Sequence, residues 1–239
     1  MFNIPENYKK DVRLELKDFI PKDLKSNDKK RVKDAVTKVS LMYQIDGEEI
    51  PSVISNEYHC QVIQIYDMEI RNIKDAAYLA SLYQSLIKSL CVIRMHDSRD
   101  EIYSLAVKRL NLSEETGIVI EHSILSDKYP VGLPDLNRGR LLKYLDYMQT
   151  KNRTNKVSLY KEWFYKTYML VNERAYVRTE VILEGNHWYD MEKMEYVFLS
   201  YFALVNARTK MKKMVSSVER MKLNQEIKAA IQVLDGEKY

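Results

Sequence analysis

The segment IQIYDMEIRN at residues 63–72 carries two acids and a base in strict alternation, Asp67, Glu69 and Arg71. If this segment is a β-strand, the three side chains share one face, because successive strand residues point to opposite faces. Carboxylates in such an arrangement could hold Mg²⁺, and the base could orient a water molecule for phosphodiester hydrolysis. The same pattern is equally typical of a strand end that faces solvent.

The spacing of Glu69 and Arg71 fits the Glu-x-Lys motif of restriction-nuclease-like cores, but arginine stands where lysine is expected. Arginine keeps its proton and presents a planar fork instead of a point charge. The acid that such a core places on the preceding strand is ambiguous among Asp46, Glu48 and Glu49. An active or degenerate nuclease centred on Glu69 is therefore one alternative, and Mg²⁺ is the only cofactor that it would need.

Other catalytic and metal-binding signatures are absent from the sequence. The four histidines are scattered, and neither CxxC nor HExxH occurs, so the sequence predicts no metal site. No glycine-rich phosphate loop is present either. Cys60 and Cys91 lie in apolar runs and are expected to be buried, reduced thiols. These features favour a protein that is not an enzyme and needs no cofactor.

Composition indicates a folded, mildly basic protein. Of the 239 residues 46% are hydrophobic, and the net charge is +4, which permits nucleic-acid contact without requiring it. The N-terminus has no apolar signal core, and no stretch approaches 18 uncharged apolar residues. We therefore expect a cytoplasmic protein that does not enter a membrane.

The elements that would position the alternating segment form the first half of the chain. Residues 1–27 read as an N-terminal arm, and residues 28–128 as an α/β domain. Within that domain the patterns predict helices over 28–44 and 74–88, a central strand over 59–70, a hairpin over 90–96 and 101–111, and a strand over 116–126. The predicted fold class is α+β or α/β, with a mixed sheet of four or more strands and flanking helices.

A mostly helical domain is predicted for residues 129–239, after Pro130, Gly132 and Pro134 mark a boundary. Predicted helices cover 136–150, 156–175 and 189–234, and 177–185 reads as a short strand or a loop entry. The last segment contains two apolar seams, which are rows of apolar residues with helical spacing. The two rows do not continue on the same helix face near 222–224, which predicts a kink or two helices there. This segment could dock on a partner helix or fold back on residues 156–205.

Basic residues concentrate at the start of the helical half. The candidate nucleic-acid contacts are Arg138, Arg140, Lys143, Lys151, Arg153 and Lys156. A second basic stretch covers 207–214, and aromatic residues lie between the two. Such residues could hold phosphates and stack bases, which would make the chain a stand-alone DNA-binding module. A solvated helical face explains them equally well.

Several segments resemble the bacterial domain-of-unknown-function family 4391. They are VSLMYQI (39–45), VIQIYDMEIR (62–71), LASLYQSLIKSLCVIRMHD (79–97), YSLAVKRLN (103–111) and ERMKLNQEIKAAIQVLD (219–235). Residues 133–210 match less clearly. Members of that family tend to be encoded beside helicases, DNA methyltransferases and restriction-like nucleases in antiphage defence islands. The resemblance implies an accessory role and supplies no catalytic residues.

The leading interpretation is a non-catalytic interaction subunit of a restriction-like antiphage defence system. Its partner would be a helicase or a DNA methyltransferase, and DNA is a further candidate ligand. The resemblance, the missing catalytic motifs and the apolar seams of the C-terminal segment all favour this interpretation.

Overall fold

The computed structural model describes residues 2–20, 24–111, 117–214 and 216–236, and only the backbone of Asp18. Predictions that fall on other positions lie outside the described residues; they concern part of the N-terminal arm (21–23), the start of the 116–126 strand, and residues 215 and 237–239. The chain divides into two compact units, Met1–Phe164 and Tyr165–Tyr239.

The described strands and helices follow one another along the chain. The strands are β1 (Lys9–Leu14), β2 (Val36–Ile45), β3 (Val53–Ile54), β4 (His59–Cys60), β5 (Ile63–Ile70), β6 (Leu90–His96), β7 (Asp100–Leu110), β8 (Ile118–Leu125) and β9 (Tyr129–Pro130). The α-helices are α1 (Leu16–Phe19), α2 (Ser26–Ala35), α3 (Ala76–Leu86), α4 (Leu136–Tyr144), α5 (Lys156–Val171), α6 (Thr179–Glu184), α7 (Met191–Met211) and α8 (Ser217–Gly236). None of these helices combines the length and the apolar character needed to span a bilayer.

A mixed sheet dominates the first unit. Its described strands lie in the order β1-β2-β5-β6-β7-β8, and β9 also pairs with β7. β5 and β6 are parallel and are connected through α3, as parallel neighbours require. The remaining pairs in this sheet are antiparallel. The fold is therefore α+β, which confirms the predicted mixed sheet followed by a mostly helical half.

One face of the sheet packs against α2 and α3. Val32 of α2, Leu79 and Tyr83 of α3, and Met68 and Ile93 of the sheet belong to one buried cluster. The strand side chains in this cluster alternate with residues on the opposite face, because strand periodicity is two. This packing holds β5 and β6 side by side, with their carboxyl ends at the same edge.

The opposite face is partly covered by the first half of α5. The Tyr160 hydroxyl donates to the Cys91 carbonyl at 2.7 Å and accepts from the Ala106 amide at 2.9 Å. These bonds attach α5 to two neighbouring strands of the first unit. The division between the units accordingly falls inside α5, later in the chain than the sequence boundary at residue 129.

The prediction of a helix over 28–44 is wrong for its second half, because α2 ends at Ala35 and β2 begins at Val36. The valines in this segment have helical spacing, but VTKVSLMYQI is also rich in the β-branched and aromatic residues that favour strands. Pairing with β1 on one side and β5 on the other decides for the strand. The N-terminal arm contributes β1 to the sheet edge.

The predicted 59–70 strand is divided, because His59–Cys60 pairs with β3 in a separate two-stranded sheet and only β5 lies in the main sheet. The helix and the other strands predicted after it are confirmed. Helix α3 occupies the predicted 74–88 segment, β6 and β7 form the predicted hairpin, and β8 occupies the predicted last strand. Cys60 and Cys91 are both free and buried, as expected.

The second unit is helical. The rings of Tyr165 and Phe198 stack at 3.8 Å between centroids, and the Tyr201 hydroxyl donates to the Asn172 carbonyl at 3.0 Å. Residues 177–185, predicted as strand or loop, contain the short helix α6. The C-terminal segment consists of two helices, as one alternative predicted, but α7 ends at Met211, earlier than the predicted break at 222–224.

Candidate functional site

A polar row crosses the sheet where β5 and β6 end. The register places Asp67 beside Arg94, and Arg94 beside Tyr103 of β7. One step further along, His96 lies beside both Glu69 and Glu101. All of these positions alternate onto the sheet face opposite the α2–α3 core. Acids, an arginine, a tyrosine and a histidine from three strands thus meet on one face.

Glu101 is the centre of this group and is fully buried. One of its carboxylate oxygens accepts from Nε of Arg94 at 2.8 Å and also from Nη2 of that arginine. The other oxygen accepts from the Tyr103 hydroxyl at 2.8 Å and from Nε of Arg138. A buried carboxylate is stable only when such donors satisfy it, so Arg94 and Arg138 compensate its charge.

Arg138 reaches Glu101 from the first turn of α4, three residues after the N-cap of that helix. Asp135 is the N-cap of α4, and its side chain accepts from the Arg138 amide at 2.7 Å. This capping bond satisfies one of the free amides of the first turn. The guanidinium of Arg138 therefore connects α4 to the polar row of the sheet.

Asp67 is the second carboxylate of the network, and its side chain is 20% exposed. Its Oδ1 accepts from Nη1 of Arg94 at 2.8 Å, and its Oδ2 lies 3.3 Å from Nε2 of His96. Arg94 thus bridges Asp67 and Glu101. The two acids and two arginines cancel in charge, and His96 adds positive charge when it is protonated.

Protonation in the network follows these contacts. Burial by itself would raise the pKa of Glu101, but donation from Arg138, Tyr103 and Arg94 outweighs it and lowers that pKa below the ordinary value. The pKa of Asp67 is likewise lowered, since the His96 and Arg94 contacts outweigh burial. The bond to Asp67 raises the pKa of His96 against the opposing effect of burial. The network therefore favours ionised carboxylates.

This arrangement suits a structural ion-pair network better than acid–base or metal chemistry. Both oxygens of Glu101 accept hydrogen bonds from arginine or tyrosine groups. Oδ1 of Asp67 accepts from Arg94, and its Oδ2 lies next to the His96 ring. Within the ranges that the structure describes, no three Asp, Glu, His or Cys side chains could hold a metal ion together. A metal at Glu101 would have to displace Arg94 or Arg138, and one at Asp67 would compete with Arg94 or His96.

The three predicted catalytic candidates have different surroundings. Asp67 belongs to the network, whereas Glu69 lies on the same face and is exposed. Arg71 follows the end of β5, and its backbone amide donates to the Ala35 carbonyl at 2.8 Å. The shared face of Asp67 and Glu69 agrees with the alternation in the sequence. A catalytic role for any of them stays a prediction.

The predicted nucleic-acid contacts are dispersed among structural roles. Arg138 binds Glu101, and the guanidinium of Arg153 lies 4.7 Å from the centre of the Tyr147 ring. Lys156 is 1% exposed, and its ammonium donates to two carbonyls and a serine hydroxyl of residues 47–52, at 2.7–3.1 Å.

The other three predicted contacts lie nearer the surface. Lys143 is exposed, with its ammonium 5.2 Å from the centre of the Tyr144 ring, whereas Arg140 and Lys151 are half-buried. Nucleic-acid binding by the six stays a prediction.

Sequence reasoning missed Arg94, His96, Glu101 and Tyr103. A usable signal was present, because LCVIRMH places Arg94 and His96 in alternation at the end of β6. A helix between two strands predicts a parallel pair whose carboxyl ends meet. That rule would have brought Asp67 and Arg94 together before the structure was known.

Comparisons with known proteins identify the family to which this chain is similar. The family model described as "Domain of unknown function (DUF4391)" matches residues 2–234. No curated protein and no solved structure matches the chain significantly. The match includes both compact units and every residue of the polar network.

Proposed function

We propose that this chain, which belongs to the family described as "Domain of unknown function (DUF4391)", is a non-catalytic accessory subunit whose C-terminal unit binds a protein partner. The partner would be a helicase or a DNA methyltransferase of a restriction-like antiphage defence system, acting in the cytoplasm. The proposal combines the implication of the family with the surface of α7.

The observation that carries the proposal is that α7 is apolar on two faces. Its inner face buries Met194, Val197 and Tyr201 within the second unit. On its outer face Tyr196 and Leu199 are 52% and 50% exposed. Two large apolar side chains one helical turn apart on an exposed face are suited to contact with a further protein surface. We call Tyr196 and Leu199 the α7 stripe.

The polar network supports a scaffold role for the first unit. Ion pairs of Asp67 and Glu101 with Arg94 and Arg138 connect three strands and α4 of the first unit. In this proposal the first unit is a stable scaffold, and the second unit carries the apolar surface that binds the partner.

Co-purification with the products of adjacent genes tests the proposal. The tagged full-length chain is co-expressed with each neighbouring helicase or methyltransferase, as wild type and as the Tyr196→Ser/Leu199→Ser variant. We expect wild-type retention of one partner and at least about tenfold weaker retention by the variant, since two central apolar contacts are lost.

A matched control uses two exposed valines of the second unit that lie outside α7. Val177 and Val181 are 96% and 42% exposed, and Val177→Ser/Val181→Ser should retain the partner as wild type does. The proposal is wrong if no neighbouring product co-purifies, or if the α7-stripe variant retains the partner fully while its thermal unfolding is unchanged.

The Mg²⁺-dependent nuclease centred on Glu69 remains the rival prediction. Its test is DNA cleavage with Mg²⁺ by the wild type and by Glu69→Ala. Cleavage by the wild type that disappears in the variant would replace the accessory role, and unchanged cleavage in the variant would remove Glu69 from consideration.

A further inference from the structure

Positive charge is concentrated where α7 ends and α8 begins. Residues 208–222 contain six lysine or arginine residues and one glutamate, a net charge of +5, whereas the whole chain has a net charge of +4. The rest of the chain therefore has a small net negative charge. The segment includes the last turn of α7, the connection 212–216 and the start of α8, so the basic stretch 207–214 is only one part of it.

The fold brings these cations onto one surface. Helices α7 and α8 pack along each other, and the short connection makes them an antiparallel pair, with the end of α7 beside the start of α8. Two helices with axes about 9 Å apart, each about 11 Å wide with its side chains, form an end about 20 Å across. We call the six cations at this end the hairpin tip: Arg208, Lys210, Lys212, Lys213, Arg220 and Lys222.

The charge of the hairpin tip is not neutralised within the part of the chain that the structure describes. All six residues are exposed. Within that part, none of their side chains forms an ion pair or a hydrogen bond. Glu219 is the only acid in residues 208–222, and α7 contains no acid after Glu195. The hairpin tip therefore presents six uncompensated cations to solvent.

Helix stability does not account for all of this charge. Arg208 and Lys210 lie in the last turn of α7, where cations are favourable because the free carbonyls there carry partial negative charge. Arg220 lies in the first turn of α8, where the partial charge is positive, so its guanidinium opposes the helix dipole. Repulsion between the neighbouring cations adds to this cost. Such a surface is suited to an external anion.

The composition of the hairpin tip favours a phosphate backbone over a protein or a membrane. Protein interfaces have an apolar core, whereas only Val218 and Met221 are large, exposed hydrophobic residues among those described in 208–222. Membrane-surface helices insert an apolar face, but Leu204 of α7 and Leu223 of α8 are buried within the second unit. Surfaces that bind nucleic acid are instead polar and strongly positive.

We propose that the hairpin tip is a docking surface for the backbone phosphates of nucleic acid. It recognises charge and not sequence, because its groups are mostly lysine ammonium groups on flexible side chains. Arg208 lies about 14 Å along α7 from Leu199, so the surface is separate from the α7 stripe. An accessory subunit of this kind would hold nucleic acid and its protein partner at the same time.

Salt dependence is the first expected signature. Four phosphate contacts predict a slope of about −3.6 for the logarithm of affinity against the logarithm of salt concentration. Affinity for a duplex should then fall roughly 150-fold between about 50 and 200 mM KCl. The measurement is fluorescence anisotropy of a labelled random-sequence duplex of about 20 bp with the full-length protein.

Neutralising half of the hairpin tip localises the binding. Lys210→Gln/Lys212→Gln/Lys213→Gln should weaken binding at least about tenfold at low salt and reduce the slope to about −0.9, since each lost contact removes about 0.9. The charge-preserving variant Lys210→Arg/Lys212→Arg/Lys213→Arg should bind nearly as tightly as the wild type, because the surface requires charge and not a particular side chain. Circular dichroism and thermal unfolding verify that both variants fold.

The matched control removes the same charge from the first unit. Lys30→Gln/Lys33→Gln/Lys38→Gln also replaces three exposed lysines and lowers the net charge of the protein equally. This variant should bind the duplex nearly as the wild type does, because contact requires the local cluster and not the net charge alone.

Four results would overturn the inference. The first is no binding of the duplex by the wild type at low salt, and the second is equal weakening by the two glutamine variants. The third is equally tight binding of poly-glutamate of matched charge, which would indicate an acidic protein segment as the ligand. The fourth is retention on phosphatidylserine-rich vesicles that the duplex does not compete away. The α7 stripe is tested by co-purification, so either proposal can fail without the other.

Discussion

Replacement of Glu101 by glutamine tests whether the polar network stabilises the first unit. The Glu101→Gln side chain has the same shape but no charge, and its amide NH₂ replaces one of the two oxygens that accept from Arg94, Arg138 and Tyr103 in the wild type. Arg94, Arg138 and Tyr103 would then share a single acceptor oxygen. The change therefore breaks a buried ion pair without creating a cavity.

The magnitude follows from the burial of each partner. Removing one partner of a buried ion pair costs about 3–5 kcal/mol. Arg94 keeps Asp67 as a partner, and the Arg138 side chain is 31% exposed and can be hydrated, so the lower end of that range applies. We expect a loss of about 3 kcal/mol in the free energy of unfolding. The midpoint of thermal unfolding should fall by about 6–12 °C, given about 2–4 °C per kcal/mol.

Urea unfolding followed by circular dichroism and tryptophan fluorescence provides the assay. Trp163 is fully buried in the first unit and reports on it. The control is Glu69→Gln, which removes an exposed carboxylate from the same sheet face and should change stability by less than about 0.5 kcal/mol. A loss below about 1 kcal/mol for Glu101→Gln, or equal losses for both variants, would refute the view that Glu101 is the centre of a stabilising network.

Two further predictions concern stability. Folding lowers the pKa values of Glu101 and Asp67, so their contribution is complete above the ordinary values of 4.5 and 3.8 and is lost as pH falls through the lowered values. Thermal midpoints should therefore decrease below about pH 4.5, and a wild-type curve that matches that of Glu101→Gln at every acidic pH would contradict this. Lys156→Met removes a buried ammonium that donates to three acceptors and should cost about 3 kcal/mol in urea unfolding. The control, exposed Lys33→Met, should cost almost nothing, and equal costs would show that the buried bonds do not stabilise the fold.

Residues 28–44 show where local pattern and tertiary context diverge. The spacing of Val32, Val36 and Val39 is helical, and α2 does form over its first part. From Val36 onward the chain lies between β1 and β5, and ladder hydrogen bonds to both neighbours outweigh a weak local preference. The hairpin of β6 and β7 was predictable, because its two alternating runs and polar loop are local signals.

The sequence by itself determined the mixed sheet, the helical second half and the shared face of Asp67 and Glu69, since all three follow from periodicities of two and 3.6. Only the tertiary structure decided what that face can do. Arg94 and Glu101 come from strands 27 and 34 residues further along the chain, and Arg138 comes from a helix beyond them. The rule for parallel strands joined by a helix could have placed Arg94 beside Asp67, but no local spacing places Glu101 and Arg138 there. The charge of an acidic residue follows from its residue type, but its hydrogen-bond partners depend on which strands and helices the fold brings together.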